Sequence, residues 1–381
     1  MPVLMLINTT GLDYDDRLRK EVLSLQSLGH QVEVLAMEYA NKPGQREIYG
    51  GILAKTIRLR SRGWFARTKG IWFKSLEMYA QFLVAVLKTR PDVLWVHCLG
   101  FTGLMPLFLL LRKIGFIHRL VWDQHELPSD SLLSSKIYMW LYQILVNGCD
   151  AIVMANQERR DLIHGKTHDK LRVPIQVLNN YPDRCFQTLP RSELSESVLD
   201  WLQGKFYVLA QGGANPNRHL DELTTAIMQQ LDVKLIVVGP YQEFQIENLV
   251  RAYGDAWRER ILFVGFVPQL DIAPYIDHAI ASIVFYATLS SNSRLCAPNR
   301  LYQALVRGLP VMVGPNLPMQ KLVLQFDCGV VVDHSDVQSI NQGIDMILSN
   351  REHFHHQALI AAEQMIWDEQ NTVVESLITE R

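Results

Sequence analysis

Short apolar runs alternate with helical patterns along this whole chain, and this alternation limits its fold more than any other feature. The runs are 3–8, 31–37, 52–59, 92–97, 119–123, 151–154 and 176–179, then 206–210, 234–238, 261–264, 279–286, 311–314 and 329–332. Strands that alternate with helices form parallel sheets covered by helices. The pattern therefore predicts an α/β protein. Because 381 residues exceed what one core usually holds, it predicts two Rossmann-like domains facing across a cleft. A polar link from Asn180 to Asp183 puts the boundary between domains 1–182 and 183–363.

Composition excludes several classes of protein. Apolar residues make up 48% and charged residues 20%, as in soluble globular proteins, and no run reaches the roughly 18 apolar residues of a membrane span. The five cysteines are scattered and form no Cys-x-x-Cys pair, which favours reduced thiols in the cytoplasm and no structural zinc. The opening residues indicate a buried strand rather than a signal peptide.

Charge is divided unevenly along the chain. Residues 1–180 hold 23 Lys and Arg against 16 Asp and Glu, whereas the remainder holds 14 against 23. A basic first half joined to an acidic second half predicts that the first half faces something anionic.

A helix that opens behind Pro298 and stops at Gly308 follows a strand-like run and a polar turn. Free N–H groups and the helix dipole at such a start favour a phosphate, although an ordinary strand-to-helix turn fits the pattern equally well. Two glycines, Gly212 and Gly213, precede Arg218 in a similar position, where the backbone can approach a diphosphate and the guanidinium can bind two of its oxygens.

The run Gln-Ala-Leu-Val-Arg-Gly-Leu-Pro-Val at 303–311 resembles the nucleotide-sugar helix of retaining glycosyltransferases of family 4, which have the GT-B fold. Gln303 stands where most members have the glutamate that binds the ribose, and Leu295 where they have a first glutamate. The helix start at 299–303 is most similar to a branch with an Asn-Lys-Leu-Phe-Glu pattern. A neutral amide holds a diol more weakly than a carboxylate does.

The resemblance implies roles for several residues of the second half. It implies a diphosphate site formed by Gly212, Gly213, Arg218, Pro298 and Asn299. Arg294 or Arg300 would replace a lysine that the family usually has at this site. Gln303 would bind the ribose, and the base would contact Gly239, Phe266 and Val267. For Gly239, a strand-ending turn is the better interpretation. The second half contains no Asp-x-Asp motif, so cations rather than a metal are expected to neutralise the diphosphate, and no cofactor is expected. The resemblance also implies that the last helix, 364–381, returns to the first domain.

Two histidines follow neighbouring strands of the first half. His97 ends one strand, and Asp123, His125 and Glu126 end the next in a pattern similar to the family's Tyr-Asp-x-His-Glu-Leu motif. These four are the candidate catalytic residues, with the histidines expected to position substrate because retaining transfer in the family is described as using the donor's own phosphate as the base.

The loop after the first strand resembles the family's Asp-x-Arg-Val-x-Lys-Glu opening. Asp15 and Arg17 are possible acceptor contacts there, although Asp16 as a simple helix cap is favoured.

Residues 55–74 are basic and aromatic and contain no acid. The candidate membrane contacts are Arg58, Arg60, Arg62, Trp64, Phe65, Arg67, Lys69 and Trp72. Cations and interfacial aromatics fit an anionic bilayer surface. Single-stranded nucleic acid is a second interpretation, set aside here, and a solvated loop with its aromatics in the core is a third.

We therefore expect a metal-independent, retaining hexosyltransferase that moves a sugar from a UDP- or GDP-sugar to a saccharide, expected to be lipid-linked, in cell-surface polysaccharide biosynthesis. It would be cytoplasmic and peripheral at the inner face of the plasma membrane. The alternative is a catalytically weak GT-B accessory subunit that binds a nucleotide sugar or glycan. A sugar-nucleotide epimerase of the same fold ranks below both.

Overall fold

The computed structural model describes residues 1–9, 11–48, 51–65 and 69–379, with the backbone alone for Pro216. The chain divides into two compact units, of which unit 1 comprises Met1–Asn179 with Asp368–Arg381 and unit 2 comprises Asn180–Trp367. Among the described residues, no helix combines the length and the apolar character needed to cross a bilayer.

Unit 1 is built on an eight-stranded sheet in the order β3-β4-β2-β1-β5-β6-β7-β8. Its strands are β1 Pro2–Thr9, β2 Gln31–Glu38, β3 Gly44–Ile48, β4 Ile52–Thr56, β5 Val93–His97, β6 Arg119–Gln124, β7 Ala151–Met154 and β8 Ile175–Val177. All pairs are parallel except β3 with β4. All seven predicted strands of this half are present. Strand β3 was not predicted, because its mostly exposed, polar residues carry no apolar pattern.

The helices of this part are α1 Asp16–Ser27, α2 Ser61–Trp64, α3 Ile71–Thr89, α4 Met105–Lys113, α5 Asp130–Leu133, α6 Lys136–Gly148 and α7 Gln157–Lys166. Helix α1 carries the chain from β1 toward one edge of the sheet, whereas α3, α4 and α6 carry it toward the other edge. Since parallel crossovers are right-handed, α1 covers one face of the sheet and α3, α4 and α6 cover the opposite face.

Unit 2 has a six-stranded parallel sheet in the order β11-β10-β9-β12-β13-β14. Its strands are β9 Phe206–Gln211, β10 Val233–Val238, β11 Ile261–Gly265, β12 Ala281–Val284, β13 Val311–Val313 and β14 Gly329–Val331. Neighbouring residues such as Val208 and Leu209 belong to separate apolar cores, because successive strand side chains point to opposite faces. The predicted class of two parallel-sheet α/β units is confirmed.

The helices of unit 2 are α8 Arg184–Gln187, α9 Glu196–Leu202, α10 Leu220–Gln229, α11 Glu243–Tyr253, α12 Ala273–Asp277, α13 Ser291–Arg294, α14 Asn299–Val306, α15 Leu317–Phe326, α16 Val337–Ser349 and α17 Arg351–Ala362. Helix α14 lies between β12 and β13, so its first residues are at the carboxyl edge of the sheet, where ligands bind in open α/β folds.

The chain ends with helix α18 Asn371–Thr379, which belongs to unit 1. The predicted last helix, 364–381, was wrong in its start, because residues 363–366 form a turn and an irregular stretch, and a 3-10 turn, Trp367–Gln370, follows. Helix α18 packs beside α1, and the Arg119 guanidinium donates to the carbonyls of Leu377 and Ser376, the latter at 3.3 Å. A cation therefore binds backbone carbonyls at the negative end of this helix.

Candidate functional site

Two guanidinium groups lie together at the carboxyl edge of the unit 2 sheet. Arg218 follows β9, and Arg300 lies in the first turn of α14. Both donate to the carbonyl of Gln211, Arg218 through Nη1 at 3.1 Å. Both also lie over the ring of Tyr286, with the carbon of each guanidinium 5.5 Å (Arg218) and 4.6 Å (Arg300) from the ring centroid. The side chain of a residue 82 positions later therefore supplies the second cation beside Arg218.

Neither guanidinium has a carboxylate partner among the residues that the structure describes. Burial lowers the pKa of Arg218 to about 10, and the neighbouring Arg300 adds to the effect. Arg218 therefore stays charged at neutral pH, and two positive charges, one on half-buried Arg218 and one on buried Arg300, are held within the described residues by carbonyl dipoles and one aromatic ring. Buried charges without a counter-ion are costly, so this edge fits an anion.

The glycines beside these arginines pack the loop and do not present their amides. The N–H groups of Gly212 and Gly213 both donate to the carbonyl of Val238, at 2.7 and 2.8 Å. A Cβ on Gly212 would lie 2.1 Å from Nη1 of Arg218, and one on Gly213 would lie 2.2 Å from the carbonyl of Pro240. The prediction that Gly212 and Gly213 hold the diphosphate through their backbone is corrected accordingly, because the amides are already bonded.

Gly239 has the same kind of role. A Cβ there would lie 2.4 Å from the nitrogen of Gly213, and its own N–H donates to the carbonyl of Gly265. Its predicted contact with the base is therefore replaced by close packing of two loops. Phe266, by contrast, is exposed, while Val267 packs partly against the apolar core.

Helix α14 begins behind Pro298, whose φ of −80° and ψ of 157° are extended, so the first helical N–H groups are those of Asn299 and Arg300. The first N–H groups of a helix have no partner within it. Of the two candidates to replace the missing lysine, Arg300 lies beside Arg218, whereas exposed Arg294 donates to the hydroxyl of Ser291 at 3.1 Å. The guanidinium of Arg294 is therefore held within α13 and makes neither the Gln211 contact nor the Tyr286 contact that the pair shares.

Gln303 is buried on α14, and its side-chain oxygen accepts a hydrogen bond from the Gln211 amide at 3.4 Å. The side-chain oxygen of Gln211, unlike its backbone carbonyl, has no hydrogen-bond partner among the described residues. Two neutral amides thus stand where the family's pattern has a carboxylate. The role of Gln303 in binding ribose stays a prediction.

A histidine pair at this edge was not predicted from the sequence. His219 follows Arg218, and its ring stacks on that of His334 with centroids 3.8 Å apart. His334 comes after β14 and is 5% exposed. The two residues are 115 positions apart, so no local pattern connects them. His219 does lie at a loop-to-helix junction, which the sequence indicates. Its φ of 50°, a conformation that favours glycine, is visible only in the structure.

At the carboxyl edge of the unit 1 sheet, five ionisable side chains converge. Arg17 on α1 donates from Nε to Oδ2 of Asp123 at 2.8 Å, and the same nitrogen lies 3.1 Å from Oε1 of Glu21. His97 lies 3.4 Å from Glu21 and 3.8 Å from Asp123, and His125 lies 3.8 Å from the other oxygen of Asp123. All are buried except His125, whose side chain is 30% exposed.

Burial and mutual charge decide which of these groups carry protons. Burial, followed by repulsion from Asp123, raises the pKa of Glu21 well above its ordinary value. Burial alone would raise the pKa of Asp123, but the Arg17 guanidinium, His125 and His97 together outweigh it and hold that pKa below its usual range. Burial lowers the pKa of His97 to about 3. The cluster is thus an Arg17–Asp123 ion pair beside Glu21, whose pKa is raised, and a neutral His97.

Several predicted site residues of unit 1 are therefore corrected. Arg17 is not an acceptor contact, because its guanidinium is buried on Asp123 and the Leu178 carbonyl. His97 and Asp123 are enclosed and support His125, which alone of the three has exposed surface. Asp15 rather than Asp16 caps α1, accepting from the N–H of Leu18 at 3.2 Å.

Glu126 is exposed, as its predicted role requires. As for a metal, His97, Asp123 and His125 offer ligand atoms within 4.8 Å of one another, but Arg17 already supplies Asp123 with a cation. The cluster therefore fits a metal ion poorly.

The basic aromatic segment is exposed in the parts that the structure describes. Trp64 is 75% and Trp72 83% exposed, which contradicts the interpretation that places the aromatics in the core. Phe65 stacks on Phe73, with ring centroids 5.5 Å apart. Arg58, Arg60 and Lys69 are exposed, Arg62 donates to the carbonyls of Glu38 and Tyr39, and Arg67 lies outside the described residues.

A cavity of about 720 Å³ opens within unit 1 beside this segment. Asn8 and Met37 at the carboxyl ends of β1 and β2 form one side of it, and Arg58, Arg62 and Phe65 are among the residues on the other. Its lining includes no Asp or Glu. The cavity therefore combines an apolar wall with cations at the edge of the sheet where ligands of α/β proteins bind.

Comparisons with known proteins agree with this architecture. The family model for the glycosyl transferase 4-like domain matches residues 16–174, and that for glycosyl transferases group 1 matches residues 193–364. The chain belongs to this family of GT-B glycosyltransferases, as the resemblance of its motifs predicted. A search of curated proteins finds no match.

Solved structures of similar fold extend over the whole chain. Sucrose-phosphate synthase from Thermosynechococcus elongatus has a TM-score of 0.75 at 14% identity, covering 99% of this chain and 98% of its own. The E. coli trehalose-6-phosphate structure bound with UDP-2-fluoro glucose has a TM-score of 0.73 at 11% identity, covering 100% and 99%. Anabaena HepE in complex with UDP has a TM-score of 0.71 at 13% identity, covering 100% of both chains. At these identities the likeness shows the fold alone.

Proposed function

We propose that this protein is a retaining, metal-independent glycosyltransferase that transfers a sugar from a nucleoside diphosphate sugar to a lipid-linked saccharide of a cell-surface polysaccharide. The nucleotide is UDP or GDP, and UDP is favoured because two of the similar structures are described with UDP or a UDP-sugar. The protein would work in the cytoplasm, at the inner face of the plasma membrane.

One observation carries the donor half of this proposal, namely the paired guanidinium groups of Arg218 and Arg300 without a carboxylate partner among the described residues. A diphosphate supplies the missing negative charge, and its oxygens match the forked geometry of arginine. The N-terminal turn of α14 adds the favourable end of a helix dipole. Cations that stabilise the departing diphosphate replace the metal that other transferases use.

The acidic groups of unit 1 support retention of configuration without a dedicated base. Asp123 is bound by Arg17, and Glu21 is fully buried against the same guanidinium, so neither is placed to take a proton from an acceptor hydroxyl. The partly exposed His125, backed by Asp123, is suited to orient a substrate hydroxyl. The donor's own phosphate then takes the acceptor proton as the new glycosidic bond forms.

The acceptor half rests on the surface of unit 1. The cavity beside Arg58 and Arg62 fits a phosphate-bearing head group, and the exposed Trp64 and Trp72 next to it fit the interfacial zone of a bilayer. A lipid-linked acceptor requires both features on one face.

The basic and exposed apolar character of residues 55–74 continues on three helices of unit 1. Helices α3, α4 and α6, which cover one face of the sheet, carry five Lys and Arg and a single acid, Glu77. They also expose large apolar side chains, namely Ile71, Trp72, Phe73, Leu76, Leu107, Leu110, Ile137, Trp140, Leu141 and Ile144, and Ile114 directly after α4 is exposed as well. Cations interspersed with exposed apolar residues favour an anionic membrane over a soluble protein partner.

Thermal-shift measurements with UDP, GDP and their sugars test the donor half. At about 100 times the dissociation constant, a bound nucleotide adds about 2.7 kcal/mol to the free energy of unfolding. Stabilisation by one of the two nucleotides supports the proposal, and the absence of any shift with either one would overturn it.

Flotation with anionic vesicles tests the membrane half. Neutralising Arg58 and Lys69 to Gln should weaken binding by about 30-fold, because each cation contributes about 1 kcal/mol near anionic lipid. Replacing Trp64 and Trp72 with Ser should weaken it further. The matched controls are Arg251→Gln and Phe244→Ser, exposed residues of unit 2 that should bind as the wild type does. Wild-type protein that stays unbound would remove the membrane half.

A second candidate is an accessory subunit of low activity, favoured by Leu295 and by the neutral Gln211–Gln303 contact at the expected ribose site. Calorimetric binding of a nucleotide sugar together with transfer to lipid-linked glycans from a membrane extract supports the enzyme. Binding without transfer or hydrolysis supports the subunit.

A further inference from the structure

We propose that His334, supported by His219, is a proton-linked ligand of the donor diphosphate, so that the donor binds together with one proton and binds more tightly as the pH falls. This inference rests on the proposed donor site and adds to it a residue and a form of regulation that the family's motifs do not include.

The position of His334 connects it to the two arginines. Its Nε2 lies 2.9 Å from the carbonyl oxygen of Tyr286, the residue whose ring lies beneath Arg218 and Arg300. The edge of its ring lies against Phe285, whose carbonyl accepts a hydrogen bond from Arg300 at 3.2 Å. One short stretch after β12 thus holds both guanidinium groups and the imidazole.

Hydrogen bonding determines the tautomer of His334. A carbonyl oxygen only accepts, so Nε2 carries the proton and Nδ1 of the neutral ring is an acceptor. Nδ1 is buried and has no hydrogen-bond partner within the described part of the chain. An unpartnered buried polar atom costs about 1–3 kcal/mol, so Nδ1 is a site that a ligand or a proton can satisfy.

His219 holds its ring against His334 in spite of a backbone cost. Its φ of 50° and ψ of 42° lie in the left-handed region, which costs a non-glycine residue about 1–2 kcal/mol. Strained residues of this kind cluster at functional sites. Its Nδ1 lies 3.3 Å from Glu222 in the first turn of α10, which orients the ring.

The charges around His334 keep it neutral when the site is empty. Burial lowers its pKa, and His219 lowers it further, while the Tyr286 carbonyl, Asp333 and Glu222 oppose the shift. A diphosphate brings at least two negative charges into this surrounding, and an opposite charge within a few ångströms favours the protonated imidazole. The ring then gains a proton on Nδ1 as the ligand binds, which makes proton uptake a thermodynamic consequence of binding.

Isothermal titration calorimetry in buffers of different ionisation enthalpy measures this proton directly. UDP-glucose, with GDP-mannose in parallel, is a suitable probe, because its diphosphate is esterified at both ends and lacks the group that titrates near pH 6 in a terminal phosphate. We expect uptake of up to one proton in the wild type. Between the pKa of His334 in the free protein and its pKa in the complex, the dissociation constant should fall by up to tenfold for each unit by which the pH is lowered.

Two variants and a control separate this role from a structural one. His334→Gln keeps a donor for the Tyr286 carbonyl and removes the titrating nitrogen, so proton uptake should disappear. His219→Gly suits the local φ and removes a charge that lowers the pKa of His334, so the pH dependence should move to higher pH. His356→Gln, an exposed histidine on α17, should behave as the wild type does.

The outcomes distinguish this inference from the proposed function. Binding of a nucleotide sugar without proton uptake by the wild type would overturn the inference alone. Unchanged uptake in His334→Gln would do the same. If that variant does not fold, the wild-type uptake and the direction of the His219→Gly shift decide. No binding of either sugar nucleotide at any pH would overturn the donor site, and this inference with it.

Discussion

Replacing Arg218 with Met should separate the stability of the protein from its affinity for the donor. Met preserves most of the apolar stem and removes the charge. In the free protein the variant loses the hydrogen bond to Gln211, worth about 1 kcal/mol, but that carbonyl still accepts from Arg300. Loss of a like charge beside Arg300 offsets part of the cost. The free energy of unfolding should therefore change by less than about 1 kcal/mol.

Donor binding should change far more. A hydrogen bond between a charged guanidinium and a phosphate oxygen contributes about 1.5–3 kcal/mol, so the dissociation constant for UDP should rise about 10- to 150-fold. Calorimetric titration with UDP measures the affinity, and urea denaturation measures the stability. Arg218→Lys, which keeps the charge without the fork, should fall between the variant and the wild type.

The matched control is Arg251→Met, an exposed arginine on α11 in the same unit. Both its UDP affinity and its stability should equal those of the wild type. If Arg218→Met bound UDP within about threefold of the Arg251→Met control, the uncompensated guanidinium pair would have no role in diphosphate binding, and the argument from charge would be wrong.

Three further predictions concern stability, each measured by denaturation. Gly213→Ala should lower the free energy of unfolding by at least about 2 kcal/mol, because the φ of Gly213 is +79° and a Cβ there would meet the Pro240 carbonyl. Gly204→Ala, at a φ of +74° in open space, should lower it by about 1 kcal/mol. Equal losses would contradict the close packing at Gly213. Arg17→Met should cost about 3–5 kcal/mol by leaving Asp123 buried without its cation, whereas Arg46→Met, which breaks a partly exposed ion pair, should cost less than about 1 kcal/mol; a small cost at Arg17 would mean that the cluster relaxes. Burial and Asp123 raise the pKa of Glu21 in the folded state, so the stability that Glu21 contributes is complete below its unfolded pKa of about 4.3 and is lost as the pH rises toward the folded value. Between about pH 5 and about pH 8, the free energy of unfolding should therefore fall less in Glu21→Gln than in the wild type. An unchanged slope would exclude this assignment.

The positions of most strands along the chain were predictable, because apolar runs and helical periods are local properties of a sequence. Strand β3 was missed for a related reason, since an exposed antiparallel edge strand needs no apolar face. The last helix was overextended because its residues favour a helix on both sides of the turn at 363–366, and the break depends on where the chain changes unit.

Only part of the candidate site could be foreseen. The start of α14 and Arg218 carry local signals, but the choice between Arg294 and Arg300 depends on which guanidinium reaches the Gln211 carbonyl, which is a matter of three-dimensional packing. Arg17 was a possible acceptor contact because its loop resembles the opening motif of the family, and only its pairing with Asp123, 106 positions away, reverses that expectation.

The hydrogen bonds of Gly212 and Gly213 were equally hidden from a pattern, because glycine permits many loop geometries and does not reveal which carbonyl its N–H will meet. The His219–His334 stack joins two loops that no motif associates.

The return of α18 to unit 1 has a consequence for biogenesis. Residues 180–367 form a continuous stretch, so unit 2 needs no later segment to complete it, whereas residues 1–179 must wait for the segment from Asp368 onward before α18 packs on α1. Unit 1 would then stay open at its α1 face throughout the synthesis of unit 2. A ribosome stalled before Asn371 would leave that face uncovered and exposed to chaperones and proteases.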